Sequence, residues 1–382
     1  MNKKTLLIIS VVIVLMAAAA AGIGLSFYLS QQNIKNNVTD NIQNSSRRNR
    51  DGNAQINSDS GNMAQETIET KNSESQPLYL TTMTHLENDW NIDTNEAFFN
   101  QTVESMRYGM DLAEQYNAIL TFESGLSFAE GINNFGDNVM KEALDRGFGV
   151  GTHVDLSAKT EMTSQEAVQI VKEHVDAVSA LVRAENNVAC SGVSAKSDWY
   201  GAAKGGGCKA IDGVVGFAYL AMPLENRPAG WTDTAILKEK FHYPAPVGDD
   251  RFYPFWINSS EDFIEDADGD VLLSSGETFS LAMFAEAGGR NGDRPTCAND
   301  CPLTMDDVTA AVNDIKDFAA SRDTFKIAKY NFYFPSNLFV PENEEILNKF
   351  FSEMQTLQDQ GVLKWASQKG IYEAKIAEKN NL

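Results

Sequence analysis

Two of the four histidines in this chain have a carboxylate two residues further on: His85 is followed by Glu87, and His153 by Asp155. On an extended backbone, side chains at positions i and i+2 point to the same side, so each imidazole can share one space with its carboxylate. Imidazole nitrogens and carboxylate oxygens together are ligands of zinc and similar divalent ions. Either histidine alone could be a buried, hydrogen-bonded core residue, but two matched pairs favour a shared metal site.

The segments that carry these residues alternate between strand and helix patterns. Leu78–His85, Ala118–Glu123 and Phe148–His153 are typical of strands, and later strand predictions include Lys326–Phe334 and Val362–Ala366. Stretches with helical apolar spacing lie between them and after them. The order predicts an α/β fold, a distorted (β/α)7-type barrel of parallel strands covered by helices.

In such barrels the chemistry lies at the C-terminal ends of the strands. His85, Glu123 and His153 end the first, second and third predicted strands. We therefore expect these three side chains on one rim.

The N-terminal residues predict export from the cytoplasm. Lys3 and Lys4 precede an apolar run of about 24 residues, long enough to cross a bilayer. We predict a cytoplasmic tip at 1–4 and a transmembrane signal-anchor at 5–29, with the main domain outside the cell membrane. A cleaved signal peptide ending near Ala17–Ala19 is the alternative, and the protein would then be secreted.

Residues 30–77 are rich in Asn, Ser, Gln and Thr and predict a disordered polar linker. The main domain is then 78–382, long enough to bury a substantial core. The chain carries a formal net charge of −22, which argues against nucleic acid as a partner. The sequence gives no indication of the oligomeric state.

The four cysteines all lie in the predicted exported domain, where two disulfides are the default expectation. Cys297 and Cys301 are close enough in sequence to close a small loop, which leaves Cys190 to pair with Cys208.

Several other segments carry structural predictions. Gly213–Tyr219 is a strand candidate, and Asp266–Asp270 reads as a hairpin turn rather than a calcium loop. His174 lies in the middle of a predicted helix and is expected to be structural or solvated. Gly288–Asp293 predicts a mobile loop.

Three stretches resemble the polysaccharide deacetylase-like (glycoside hydrolase/deacetylase) superfamily. They are the polar end of the first strand (THLEND), the turn into the third strand (DRGFGVGTH) and a terminal unit (GVLKWASQKGIYEA). The resemblance covers residues 78–382 and implies a distorted seven-stranded barrel. It also implies one divalent ion, usually zinc, held by an Asp and two His, with a second Asp as base and a late-strand His as acid.

The sequence departs from this family pattern at several positions. His85 and Glu87 replace an Asp-Asp pair, Ser157 replaces the second histidine of the third-strand motif, and no histidine follows His242. The resemblance still implies metal binding through His85, His153 and Asp155, with Glu87 as a further candidate.

The catalytic candidates follow from the chemistry of amide hydrolysis. A carboxylate would act as general base, with Glu123 as first choice and Glu87 and Asp89 as alternatives. His242 could donate a proton to the leaving amine.

The substrate-binding candidates are Asp89, Trp90, Trp199 and Trp256. The tryptophans would stack on sugar rings at the rim, and core packing is the alternative for each.

The combined prediction is an exported, membrane-anchored, metal-dependent hydrolase that deacetylates an N-acetylated cell-surface or extracellular polysaccharide, with zinc as the expected divalent ion. The alternative is a catalytically degenerate deacetylase-fold protein that binds glycan or an envelope partner. A third hypothesis is glycosidic-bond hydrolysis by two carboxylates such as Glu123 and Asp155.

Overall fold

A compact unit spans Asn72–Leu382. This computed structural model describes residues 75–87, 91–158, 162–297 and 301–380. The predicted tip and anchor, and the predicted linker up to residue 74, lie outside the described residues. Within the described ranges, no helix combines the length and the apolar character that a membrane crossing requires.

The strands of the described residues form one sheet. They are β1 (Leu78–Leu86), β2 (Thr121–Ser124), β3 (Gly149–His153), β4 (Ala189–Ser191), β5 (Ala210–Ile211), β6 (Phe255–Ile257), β7 (Val271–Leu273), β8 (Glu277–Ser280), β9 (Ala328–Tyr333) and β10 (Leu363–Trp365). Their order is β6-β7-β5-β4-β3-β2-β1-β9-β8, and β10 pairs with the start of β1. All of these pairs are parallel except β6 with β7.

The two sides of this sheet are joined by one bent segment of chain. β7 pairs with β5 and β8 pairs with β9, yet only residues 274–276 separate β7 from β8. The Ser274 N–H donates to the Ile211 carbonyl, whereas the Gly276 carbonyl accepts from the Asn331 N–H. The curled parallel sheet therefore fits the predicted distorted barrel, with seven strand positions when β7 and β8 count as one and β6 and β10 are left out.

Helices follow most strands, as a parallel sheet requires. They are α1 (Glu96–Glu114), α2 (Leu126–Phe135), α3 (Val139–Asp145), α4 (Ser164–Val182), α5 (Trp199–Gly206), α6 (Asp233–Ala235), α7 (Phe284–Ala287), α8 (Met305–Ser321), α9 (Glu344–Asp359) and α10 (Gln368–Asn380). A capping box of Thr163 and Glu166 begins α4, and Thr304 with Asp307 forms a second one at α8. Both boxes satisfy N–H groups that would otherwise lack a partner in the first turn.

The predicted strand Gly213–Tyr219 is wrong. Extended pairing ends at Ile211, and Gly213 takes a φ of +57°, which turns the chain out of the strand direction. Residues Gly216–Ala221 then form a 3-10 helix that packs in a cluster with Trp231. The predicted hairpin is confirmed, since β6 and β7 are antiparallel and the Gly269 N–H closes a turn onto the Asp266 carbonyl.

Both predicted disulfides are present, Cys190–Cys208 and Cys297–Cys301. The first joins the end of β4 to the chain after α5 and is buried at 1% and 3% exposure. It closes a loop with a sequence separation of 18, against 4 for the second. Closing the longer loop restricts the unfolded chain more.

Replacing Cys190 and Cys208 together by alanine is therefore expected to lower the free energy of unfolding by about 3 kcal/mol or more. Replacing Cys297 and Cys301 in the same way is the control, with a smaller expected loss. Urea denaturation of both double variants measures the difference. An equal or larger loss for the short loop would contradict this account.

Candidate metal centre

The first three strands bring their polar ends together on one rim, as predicted. His85 of β1 lies in register with Glu123 of β2, and Glu123 with Gly151 of β3. His153 ends β3 in register with Ser191 of β4. The imidazoles of His85 and His153 stack with their centroids 3.9 Å apart.

Glu87 bridges these two histidines, with one carboxylate oxygen near each ring. His85 Nδ1 is 3.6 Å from Glu87 Oε1, and His153 Nε2 contacts Glu87 Oε2 directly. One ligand atom from each of the three residues lies within 4.8 Å of the others. Two imidazole nitrogens and one carboxylate are the protein ligands of many catalytic zinc sites.

The outer hydrogen bonds orient the histidines for such a role. His153 Nδ1 is 2.8 Å from Ser191 Oγ, which leaves Nε2 facing Glu87. His174 Nδ1 donates to the His153 carbonyl at 3.0 Å, so His174 is structural, as predicted, and supports the end of β3. His85 Nε2 faces Glu123 Oε2 at 3.4 Å. A metal ligand whose other ring nitrogen meets a hydroxyl or carboxylate is typical of zinc enzymes.

One buried ring nitrogen of the cluster supports the fit to a divalent ion. His153 Nε2 is buried and makes no hydrogen bond of normal geometry within the described residues, although it contacts Glu87. Buried polar atoms rarely lack a partner, and each one costs free energy of folding. The residues present therefore fit one divalent ion between His85, Glu87 and His153.

Two glycines make the close packing possible. A Cβ on Gly151 would lie 3.1 Å from Glu123 Cγ, so the third-strand glycine leaves room for that side chain. Gly192 follows β4 with a φ of +67°, and a Cβ there would lie 2.7 Å from His153 Cε1. A larger residue at Gly192 would therefore push the imidazole out of place.

The electrostatics of Glu87 suit a ligand. Burial alone would raise its pKa, but the adjacent imidazoles of His153 and His85 hold the pKa of Glu87 well below its usual value. Its carboxylate is therefore ionised at neutral pH, as a metal ligand must be.

A buried group of charges lies beneath the rim. Glu123, Asp212 and Lys329 are each at most 1% exposed, and Glu277 is 9% exposed. Burial, followed by the charge of Glu123, raises the pKa of Asp212 well above its usual value. Burial raises the pKa of Glu123 and lowers the pKa of Lys329 to about 8. Burial thus favours the uncharged form of each of these three side chains.

The buried carboxyl group of Glu277 predicts how the free energy of unfolding changes with pH. Burial raises its pKa from 4.5 to about 8, so the folded state holds a proton that the unfolded state loses. The free energy of unfolding of the chelator-treated protein should fall as pH rises from about 4.5 to about 8, by at most about 1.4 kcal/mol per unit from this group. Glu277→Gln should show a shallower fall in urea denaturation across this range. An unchanged slope would contradict the assignment.

A cleft of about 1000 Å³ opens above the three candidate ligands. Glu87, Asp155 and Glu277 are its carboxylates among the described residues, and His242 lies on its wall. Burial and the charge of Arg294 lower the pKa of His242. Asp155 has a φ of +53° and accepts a hydrogen bond from Ser157 Oγ at 2.8 Å.

Several of the predicted site residues do not lie where the sequence analysis expected them. Asp155 lines the cleft but is not one of the three clustered ligands, where Glu87 stands instead. Glu123 is fully buried under His85 and does not line the cleft. Asp89 and Trp90 lie outside the described residues.

The predicted sugar-stacking roles of two tryptophans need correction. Trp199 is 0% exposed and donates its indole N–H to the Ala218 carbonyl, and Trp256 is 5% exposed against Tyr372 and Lys379. Neither lines the cleft. Because a large ring supplies so much apolar contact area, both serve the core, the alternative stated for each.

Sequence reasoning missed four polar residues of the rim: Ser191, Asp212, Glu277 and Tyr333. The Tyr333 ring lies 5.0 Å from the His85 ring. Ser191 and Tyr333 end strands β4 and β9, and Asp212 directly follows β5. The strand-end rule that found His85 could have found these three, whereas Glu277 begins a strand and had no such signal.

Comparison with known proteins gives matches in structure only. No protein-family model and no curated protein matches the sequence. A Mycobacterium smegmatis protein provisionally assigned as a polysaccharide deacetylase is 10% identical with a TM-score of 0.47, and the match covers 80% of this chain and 92% of that one. A provisionally assigned Pseudomonas aeruginosa polysaccharide deacetylase is 11% identical with a TM-score of 0.43, covering 78% and 90%.

A further solved structure is similar enough to support the assignment of the fold. It is a Parabacteroides distasonis protein, provisionally assigned as a glycoside hydrolase/deacetylase. It is 9% identical with a TM-score of 0.52, and the match covers 79% of this chain and 72% of that one. The chain therefore has the fold of the polysaccharide deacetylase-like (glycoside hydrolase/deacetylase) proteins, in a divergent form, as the resemblance predicted.

Proposed function

We propose that the protein is a metal-dependent hydrolase that removes acetyl groups from an N-acetylated polysaccharide. The observation that carries the proposal is the cluster of His85, Glu87 and His153 at the floor of a large cleft, on the rim where this fold places its chemistry. We further propose zinc as the ion, because its common ligand sets include two histidines and one glutamate.

The ion would supply Lewis acidity, polarising the amide carbonyl of an N-acetyl group. Glu87, predicted as a catalytic residue, takes the ligand role, and Asp155, predicted as a ligand, takes the role of general base. This exchange follows from position, since Asp155 lines the cleft outside the three-residue cluster. A base must reach the water that attacks the carbonyl, and a cleft carboxylate can do so.

The leaving amine needs a proton donor, and the cleft offers two. Burial raises the pKa of Glu277 to about 8, whereas burial lowers the pKa of His242. At neutral pH Glu277 thus carries a proton, so it is favoured over the originally predicted His242.

Glu123 acts as a positioning residue. It lies wholly beneath the rim, with Oε2 3.4 Å from His85 Nε2. Its carboxylate can hold the His85 ring in orientation, but a buried group that does not reach the cleft cannot act on substrate. The hypothesis that Glu123 and Asp155 form a glycosidase pair loses its support for the same reason.

The cleft walls suit a sugar chain. Phe98, Leu126 and Ile170 supply apolar surface, while Gln101 and Thr102 supply hydrogen-bonding groups. A pyranose presents apolar C–H faces and polar edges, so a mixed wall can bind both.

We also propose that residues 5–29 anchor the protein in the cell membrane, with the cleft outside the cytoplasm. The apolar run after Lys3 and Lys4 supports the anchor. The two disulfides are typical of an oxidising compartment.

The second candidate function is glycan binding without catalysis. The observation that favours it is Ser157, which stands where the family pattern has a histidine and donates its hydroxyl to Asp155. Such a hydrogen bond could hold Asp155 away from catalysis.

The test is acetate release from a polymer of N-acetylglucosamine by the purified full chain. The proposal predicts release that stops after chelation and returns on adding zinc. New reducing ends without acetate would instead indicate glycosidic cleavage. Polymer binding with no released acetate, with or without zinc, would favour the non-catalytic alternative.

A further inference from the structure

The chain segment 288–294 is fixed to the barrel by charged side chains, although its glycines predicted a mobile loop. The Arg290 guanidinium lies 2.5 Å from Asp314 Oδ1 and 3.2 Å from Asp249 Oδ1. The Arg290 N–H donates to Asp314 Oδ2 at 2.9 Å, and the buried Arg251 donates to the Arg290 carbonyl. Several charge-assisted hydrogen bonds to one short segment restrict its conformation.

Arg294, at the end of this segment, lines the cleft. The Arg294 N–H donates to the Tyr243 hydroxyl at 3.3 Å, and the Cys297–Cys301 disulfide closes the chain shortly afterwards. Among the described residues that line the cleft, Arg294 is the only Lys or Arg. Arg294 lines the same cleft as His242 and Glu277, and its charge acts on both.

We propose that Arg294 determines specificity by binding a carboxylate on the substrate, so that the polysaccharide is an anionic N-acetylated glycan. This inference rests on the proposed function for the identity of the chain as a glycan hydrolase. A guanidinium presents five N–H donors in a planar fork that matches a carboxylate. Arg294 lines the cleft, so this fork belongs to the surface that a bound glycan would meet.

The acidity of the chain does not oppose this binding. Glu87 is held by its contacts with His85 and His153. Glu277 is protonated at neutral pH, since burial raises its pKa to about 8. Asp155 is the remaining carboxylate among the described residues that line the cleft.

The alternative is a purely structural role in which Arg294 interacts only with groups of the protein itself. If the role is structural, replacing Arg294 should change the affinity for neutral and anionic glycans alike. If Arg294 binds the ligand, replacing it should lower the affinity for the anionic glycan only. A matched pair of glycans therefore distinguishes the two roles.

The experiment compares two tetrasaccharides by calorimetry, at one fixed salt concentration. One alternates N-acetylglucosamine with glucuronic acid, and the other is the same molecule with its carboxyl groups reduced to alcohols. We expect the full chain to bind the anionic form about tenfold more tightly or better, as a charge-assisted hydrogen bond predicts. Arg294→Gln should reduce this ratio to near one, and Arg294→Lys should retain part of it.

Arg183→Gln is the matched control, because Arg183 is 83% exposed and follows α4 at its C-terminal end, away from the rim. It should leave the ratio unchanged. An unmodified chain that binds the two glycans equally, or an Arg294→Gln variant that keeps the preference, would overturn the inference. Binding needs no turnover, so preference through Arg294 without acetate release would contradict the proposed function and leave the inference standing.

Discussion

Replacement of His153 by alanine is expected to abolish both metal binding and acetate release. His153 Nε2 contacts Glu87, and its other ring nitrogen is held by Ser191. Losing an outer partner of a metal ligand costs about 10–100-fold in affinity or activity, so losing the ligand itself should cost more than about 100-fold. Metal content by mass spectrometry and acetate release by enzymatic assay measure the two losses.

The control for this variant is His242→Ala. His242 lines the cleft but is not among the three clustered ligands. It should keep the bound metal whatever its effect on turnover. His153→Asn offers a second variant of closer volume if the alanine variant unfolds. Retained metal in both His153 variants would contradict the assigned site.

Replacement of Lys329 by methionine should produce the largest loss of stability. Lys329 is 0% exposed, and its Nζ donates to the Ser274 carbonyl and, at 2.8 Å, to Gln368 Oε1. It is the cation of the buried group that also contains Glu123 and Asp212. Removing one partner from a buried charge group costs about 3–5 kcal/mol, because the remaining charges have no compensation.

Urea denaturation measures this loss, and Lys172→Met is the matched control. Lys172 is 52% exposed and pairs with Asp176 on the same helix. Exposed pairs of this kind contribute about 0–1 kcal/mol. Equal losses in the two variants would show that the buried charges do not stabilise the fold.

The early strands and the rim could be predicted because their signals are local. Strands that end at His153 and within one residue of His85 and Glu123 follow from short apolar runs closed by polar residues. The disulfides follow from cysteine number and spacing. The chain order then implies a parallel sheet, and the strand-end rule places the chemistry on one rim.

The choice of ligand could not be predicted, because it depends on how strands stack. Glu87 and Asp155 both stand two residues after a histidine. Only the stacking of the His85 and His153 rings brings Glu87 between them, whereas the φ of +53° at Asp155 turns that residue toward Ser157. Local periodicity contains neither fact.

The predicted sugar-stacking role of the tryptophans is wrong for a related reason. A sequence pattern gives the type of a side chain but not which face of an irregular segment is covered. Trp199 begins α5 and packs into the cluster around Tyr219 and Phe263, a contact between distant segments of chain.

The most direct test of the metal centre is anomalous diffraction from crystals of the protein soaked in zinc. We expect a single strong peak about 2.0–2.2 Å from one atom each of His85, Glu87 and His153. No peak at this position, or a peak that excludes two of the three residues, would contradict the assignment of the site.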